Sequence, residues 1–162
     1  MGIKIFRRVD GGIIAFLRDT YGIPDPRSIL EGYRYIVSGR ASWLYIGPSI
    51  DIRSFGGYIN RVGFKFYELD RDGNIVLSNT FIQLYGGYMG RNVIEAYSDS
   101  SLKELLRRTY LPSIEGFKLI DPTPYPYKAL KYRGTPLGLV KITGERVISL
   151  LPHGFQLIDY LK

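Results

Sequence analysis

Beyond residue 98 the chain reads as short β segments broken every few residues by turn formers, and only one stretch among them carries a helical period. The segments fall at 116–120, 127–132, 137–142, 146–150 and 155–158, rich in aromatic and branched residues and separated by Gly, Pro and Asp. Ser98 is a good N-cap for the helical stretch, predicted to run to about Tyr110. Leu102, Leu105, Leu106 and Tyr110 fall on one face there, and Lys103, Arg107 and Arg108 are free to point elsewhere. One helix inserted among five or six short strands predicts a small closed barrel. The run 121–126 holds Pro122, Pro124 and Pro126, none of which can donate to a ladder, so it reads as a stiff loop.

Ahead of this barrel the pattern is mixed. Ile13, Ile14, Phe16, Leu17 and Tyr21 share a helical face behind Asp10-Gly11-Gly12, and Gly22 and Pro24 end the run, which predicts a helix near 11–21. The segments 33–37 and 42–46 flank Ser38-Gly39-Arg40 as a hairpin. Residues 62–69 read as a strand, 70–74 as a turn and 75–77 as the returning strand. A second unit begins near Asn79, with strand-like segments at 81–85 and 92–97 on either side of Gly86-Gly87. The expected architecture is therefore α+β: a small mixed unit over 1–78, then a pseudo-barrel with one inserted helix over 79–162.

The chain has 162 residues, 45% of them hydrophobic, which suits one domain or two small units packed together. No internal repeat or low-complexity tract interrupts it. No apolar run approaches the roughly 20 residues of a membrane helix, and the first eight residues lack a signal-peptide core, so a soluble cytoplasmic protein is expected. With no cysteine and one histidine, disulfides, thiolate nucleophiles and thiolate metal sites fall away, and little is left for an imidazole-rich site. The two Gln and four Asn, beside many Tyr, Ile and Arg, lean toward a thermophilic source.

Twenty-two Lys and Arg stand against 15 Asp and Glu, a formal charge of +7. Residues 1–65 hold ten basic and five acidic residues, 66–97 two and four, and 98–162 ten and six, so two basic lobes flank an acidic middle. A field of this sign attracts polyanions by releasing their counterions, which puts nucleic acid first among partners.

The residues Tyr127-Lys128-Ala129-Leu130-Lys131-Tyr132-Arg133-Gly134-Thr135-Pro136-Leu137-Gly138-Leu139, followed by the run from Arg146 to Gly154, resemble a PUA barrel, above all those that end Sun-family RNA cytosine-5 methyltransferases. Residues 79–86 and 91–95 are similar to the segment entering that barrel, and Tyr21-Gly22-Ile23-Pro24 and Glu31-Gly32-Tyr33-Arg34-Tyr35 resemble the small pre-PUA unit. The likeness covers nearly the whole chain, and its layout is similar to that of Nip-type ribosome-biogenesis factors. It implies a stand-alone RNA-binding protein without the methyltransferase chemistry, since the catalytic cysteine and the cofactor-binding Rossmann domain of that family are both missing here. One departure is local: PUA barrels commonly follow a basic residue with glycine at the end of the first helix, where this chain has Arg107-Arg108-Thr109-Tyr110.

The resemblance implies RNA contact at Arg107 and Arg108 and along a barrel rim carrying Lys131, Arg133, Lys141, Arg146 and His153. Arginine offers a planar fork to phosphate and stacks on bases, and lysine acts as a compact charge. Trp43 and the fourteen tyrosines include candidate stacking platforms, although most suit core or hairpin positions. His153, between Pro152 and Gly154, suits a turn or an RNA contact better than a general base. Asp70 and Asp72 imitate metal-ligand spacing, but Gly73 and Asn74 make a simple turn. Gly56-Gly57 and Gly86-Gly87 lack the lysine and hydroxyl of a P-loop and read as bends. No metal or cofactor is expected. The expected role is non-catalytic recognition of structured rRNA or tRNA in ribosome assembly, translation or RNA modification. The alternative is a protein-interaction module: a targeting subunit for a separate methyltransferase or a permanent ribosomal component, with Glu68, Asp70 and Asp72 facing a basic partner.

Overall fold

A computed structural model describes residues 4–6, 8–47 and 63–152. The predicted segment 155–158, the Gly56-Gly57 bend and His153 lie outside the described residues. Local chemistry sets the first elements. Asp10 accepts the Gly12 amide at 2.7 Å and starts helix α1 (Gly11–Tyr21); Gly22, at φ 64°, ends it. Left-handed backbone of that kind costs glycine little. Ile13, Ile14, Leu17 and Tyr21 make its buried face. A one-turn helix α2 (Pro26–Ile29) starts at Asp25, whose carboxylate accepts the Ser28 amide.

Strand β1 (Lys4–Phe6), the hairpin β2 (Arg34–Ser38) and β3 (Ala41–Tyr45), and the pair β4 (Phe64–Leu69) and β5 (Ile75–Leu77) form one antiparallel sheet in chain order. The turn between β4 and β5 is fixed by Asp70, whose Oδ1 accepts the amides of Asp72 and Asn74.

Residues 81–85, read as a strand from their aromatic and branched content, lie in helix α3 (Asn79–Tyr85), followed by a 3-10 turn over Gly86–Tyr88. Ser78 caps α3 by accepting the Phe81 amide at 3.0 Å, and Phe81 and Ile82 are buried. Among the described residues the second half thus holds two helices rather than one. The other is α4 (Asp99–Arg108), between β6 (Val93–Ala96) and the two-residue β7 (Tyr110–Leu111). Strands β8 (Phe117–Ile120), β9 (Tyr127–Tyr132), β10 (Thr135–Thr143) and β11 (Arg146–Ser149) complete it.

These six strands form a second, curled half-barrel sheet in the order β7-β11-β10-β9-β6-β8, antiparallel except where β6 runs beside β9. Alternation along β9 assigns its two faces. Leu130 and Tyr132 join Ile94, Leu102, Leu105, Val140 and Val147 in a core under α4. Tyr127 and Ala129, with Val93 and Leu139, face a second core shared with α1, α3 and the first sheet. The chain is α+β, with β9 buried on both sides. Helix α3 reaches β10 closely because Gly138 has no side chain: a Cβ there would lie 2.4 Å from Asn79 Oδ1. Asn79 uses that approach to accept the Leu139 amide and to donate to the Leu150 carbonyl. Among the described residues no helix is long and apolar enough to cross a membrane.

Candidate nucleic-acid interface

Helix α4 places the first two candidate residues. Ser98 caps it, accepting the Ser101 amide, and Leu102 and Leu105 anchor it to the sheet. Arg107 and Arg108 occupy its last turn, exposed, where positive charge complements the helix dipole. Arg108 pairs with Glu104 one turn back at 3.1 Å. Such an exposed pair contributes little and exchanges readily for another anion.

Thr109 then takes a left-handed conformation, φ 65°, and ends the helix. A branched residue thus holds the left-handed position at which helices commonly place glycine. The Thr109 amide donates to the Leu105 carbonyl and its own carbonyl accepts the Ser149 amide at 2.7 Å, tying the helix end to β11. Strand β7 follows along the outer edge of β11, with Tyr110 opposite Ile148 and Leu111 opposite Val147. That register brings Arg146, the exposed first residue of β11, alongside the same edge. Between the arginines stands Tyr110, 54% exposed. Among the described residues Arg107 and Arg146 join no ion pair.

The remaining candidates lie elsewhere. Arg133 sits in the β9–β10 turn at φ 49°, its guanidinium 5.0 Å from the centre of the Tyr132 ring and 3.6 Å from Asp99 at the opposite end of α4. Nine helical steps, about 14 Å, separate that end from Arg108. Lys131 is directly opposite Glu95 on the parallel neighbour β6 and donates to the Met89 carbonyl at 2.9 Å. Burial holds its pKa below the usual lysine value, with Glu95 pulling the other way. It ties β9 to the loop after α3. Lys141 is half-buried, 5.3 Å from the Tyr127 ring, on the face of β10 that Tyr127 shares. The basic rim therefore resolves into an outer edge with Arg107, Arg108 and Arg146, a turn with Arg133, and two lysines on the side of the first sheet.

Several polar residues outside the candidate set hold the centre together. Asn92, buried at φ 54°, donates from Nδ2 to the Tyr127 carbonyl at 2.7 Å and accepts at Oδ1 from Thr123 and from Lys128. The Lys128 ammonium also donates to the carbonyls of Thr123 and Tyr125, and burial lowers its pKa. The proline-rich loop 121–126 is thus wrapped around one lysine. A lysine between Tyr127 and Ala129 in an apolar strand is the sequence signal that could have revealed it, whereas Asn92 carries no such signal. Asp70 accepts from Asn74 Nδ2 and from the Tyr127 hydroxyl at 2.7 Å, and these bonds, Asn74 first, hold its carboxyl well below the usual range. Burial, aided by Asp70, pushes the Tyr127 phenol up to about 12. Glu68 pairs with Lys65.

Comparison with known proteins finds no family model matching this chain and no curated relative.

Proposed function

We propose that the chain is a non-catalytic, cytoplasmic RNA-binding protein that holds structured rRNA or tRNA along the β7–β11 edge, acting in ribosome assembly, translation or RNA modification. The carrying observation is that exposed Arg107 and Arg108 end α4 and that exposed Tyr110 and Arg146 follow on β7 and β11, the last two strands on that side of the sheet among the described residues, in a chain with charge +7. Arg107 and Arg146, in no ion pair among the described residues, can meet phosphates, Arg108 can exchange its exposed pair with Glu104 for one, and the exposed phenol ring offers a face to an unstacked base, worth roughly 1–3 kcal/mol. The resemblance to PUA barrels supports the same end of the helix as the contact point.

The test is the affinity for tRNA and rRNA fragments measured as salt is raised. Each phosphate contact steepens the log–log slope by about 0.7 to 0.9. The double variant Arg107→Ala/Arg108→Ala is expected to flatten that slope by about 1.5, two contacts' worth. Lys118→Ala, on the opposite sheet edge, is expected to leave it unchanged. Undetectable binding, or equal slopes for wild type and double variant, would refute the proposal.

A further inference from the structure

The first half of the chain contains a cleft of about 960 Å³, between the entry to α1, the short α2 and the start of β2. Its size falls in the range of sites that enclose small organic ligands. Val9, Ile14 and Leu30 give it an apolar floor, and Arg8, Arg27 and Arg34 stand around it. Arg8 and Arg27 are exposed, and among the described residues none of the three arginines pairs with a carboxylate. This holds even though Asp25 and Glu31 also line the cleft. Asp25 instead spends a carboxylate oxygen on the Ser28 amide. Arg34 is held in place by donating from Nε to the Gly47 carbonyl, which leaves its terminal nitrogens for other acceptors. Tyr33 is fixed as well, its hydroxyl 2.7 Å from that of Tyr85 and its ring edge-on to Phe64.

A cleft lined by three arginines and by Val9, Ile14 and Leu30, together with the immobilised Tyr33, matches one ligand chemistry: a flat ring carrying a phosphate. A forked donor suits phosphate oxygens, and the floor and Tyr33 supply surface for a base. We propose that this cleft binds a nucleotide unit, its phosphate on Arg8, Arg27 and Arg34. The nucleotide is either free in solution or part of an RNA chain, and the recognising chemistry is the same in both cases. The cleft belongs to the other half of the fold from the β7–β11 edge, so its occupancy does not depend on RNA being held there.

Calorimetric titration of the full chain with adenosine 5′-monophosphate, uridine 5′-monophosphate, adenosine, inorganic phosphate and a ten-nucleotide RNA tests this. Wild type is expected to bind a monophosphate or the RNA at least about tenfold more tightly than adenosine or phosphate alone, a difference of about 1.4 kcal/mol. Arg27→Ala is expected to lose about tenfold for the same ligand, and Arg8→Ala to act in the same direction. Both side chains are exposed, and a thermal melt confirms that the variants fold. A loss for the monophosphates identifies a free nucleotide as the ligand; a loss for the RNA alone identifies a nucleotide of a chain. The Arg107→Ala/Arg108→Ala protein serves as the control: full monophosphate binding there, or RNA binding that Arg27→Ala weakens further, keeps the cleft separate from the edge. Equal binding of every probe by wild type and Arg27→Ala, or no binding of any, overturns the proposal.

Discussion

Replacing Asn92 with alanine should cost more than any surface change in the molecule, because one side chain completes three separate structures. Its Oδ1 accepts from the Lys128 ammonium and from both the amide and the hydroxyl of Thr123, and its Nδ2 donates to the Tyr127 carbonyl. Removing an acceptor from a buried cation costs about 1.5–3 kcal/mol. The neutral partners lose about 1 kcal/mol each, softened where another partner remains. The Tyr127 carbonyl is softened in this way, since it also accepts from Tyr21. At φ 54° alanine adds about 1 kcal/mol of left-handed strain that asparagine tolerates better. The expected total is about 4 kcal/mol, which for a chain of this length lowers Tm by roughly 8–16 °C. Urea unfolding at pH 7, followed by tyrosine fluorescence, measures it. In a double-mutant cycle with Lys128→Met the coupling should exceed about 1 kcal/mol, because methionine removes the stranded charge. A loss below about 1 kcal/mol for Asn92→Ala, or no coupling, would show that the loop holds its lysine without this residue.

The Asp70 carboxyl is held below its unfolded value, so its stabilisation is complete above about pH 4 and is lost as pH falls through the folded value; Asp70→Asn should flatten the acid limb of a stability profile. The Tyr127 phenol is raised, so its contribution is complete below about pH 10 and is lost as pH rises toward about 12; Tyr127→Phe should remove that alkaline step. Thr109→Gly relieves left-handed strain on a branched residue and should raise stability by about 0.5–1 kcal/mol in the same urea assay. A fall in stability would show that the bond from the Thr109 hydroxyl to the Arg108 carbonyl outweighs the strain.

How much of this was readable beforehand depended on the range of the forces involved. Helices α1 and α4 announce themselves through Asp10 and Ser98, which act within three residues, and the β2–β3 hairpin through Gly39. In α3 the composition of Phe81, Ile82 and Tyr85 favours a strand, yet the Ser78 cap and the packing of the helix on β4 and β10 win. The basic residues divide in the same way. Arg107 and Arg108 follow from helical period alone. The surroundings of Lys131 are set by Met89, 42 residues away, and by a neighbouring strand, neither of which a local pattern reveals.

Strand β9 has apolar cover on both sides, from α4 below and from α1 and α3 above. Its central amides, Ala129 and Leu130, bond to neighbouring strands within a layer that solvent does not reach from either face. Deuterium can enter there only when the two layers part together, so the slowest-exchanging amides of the chain should report global unfolding rather than local breathing. The two-residue β7, by contrast, lies at the rim and can fray without disturbing that centre. A protein arranged this way can loosen its rim while its middle stays closed.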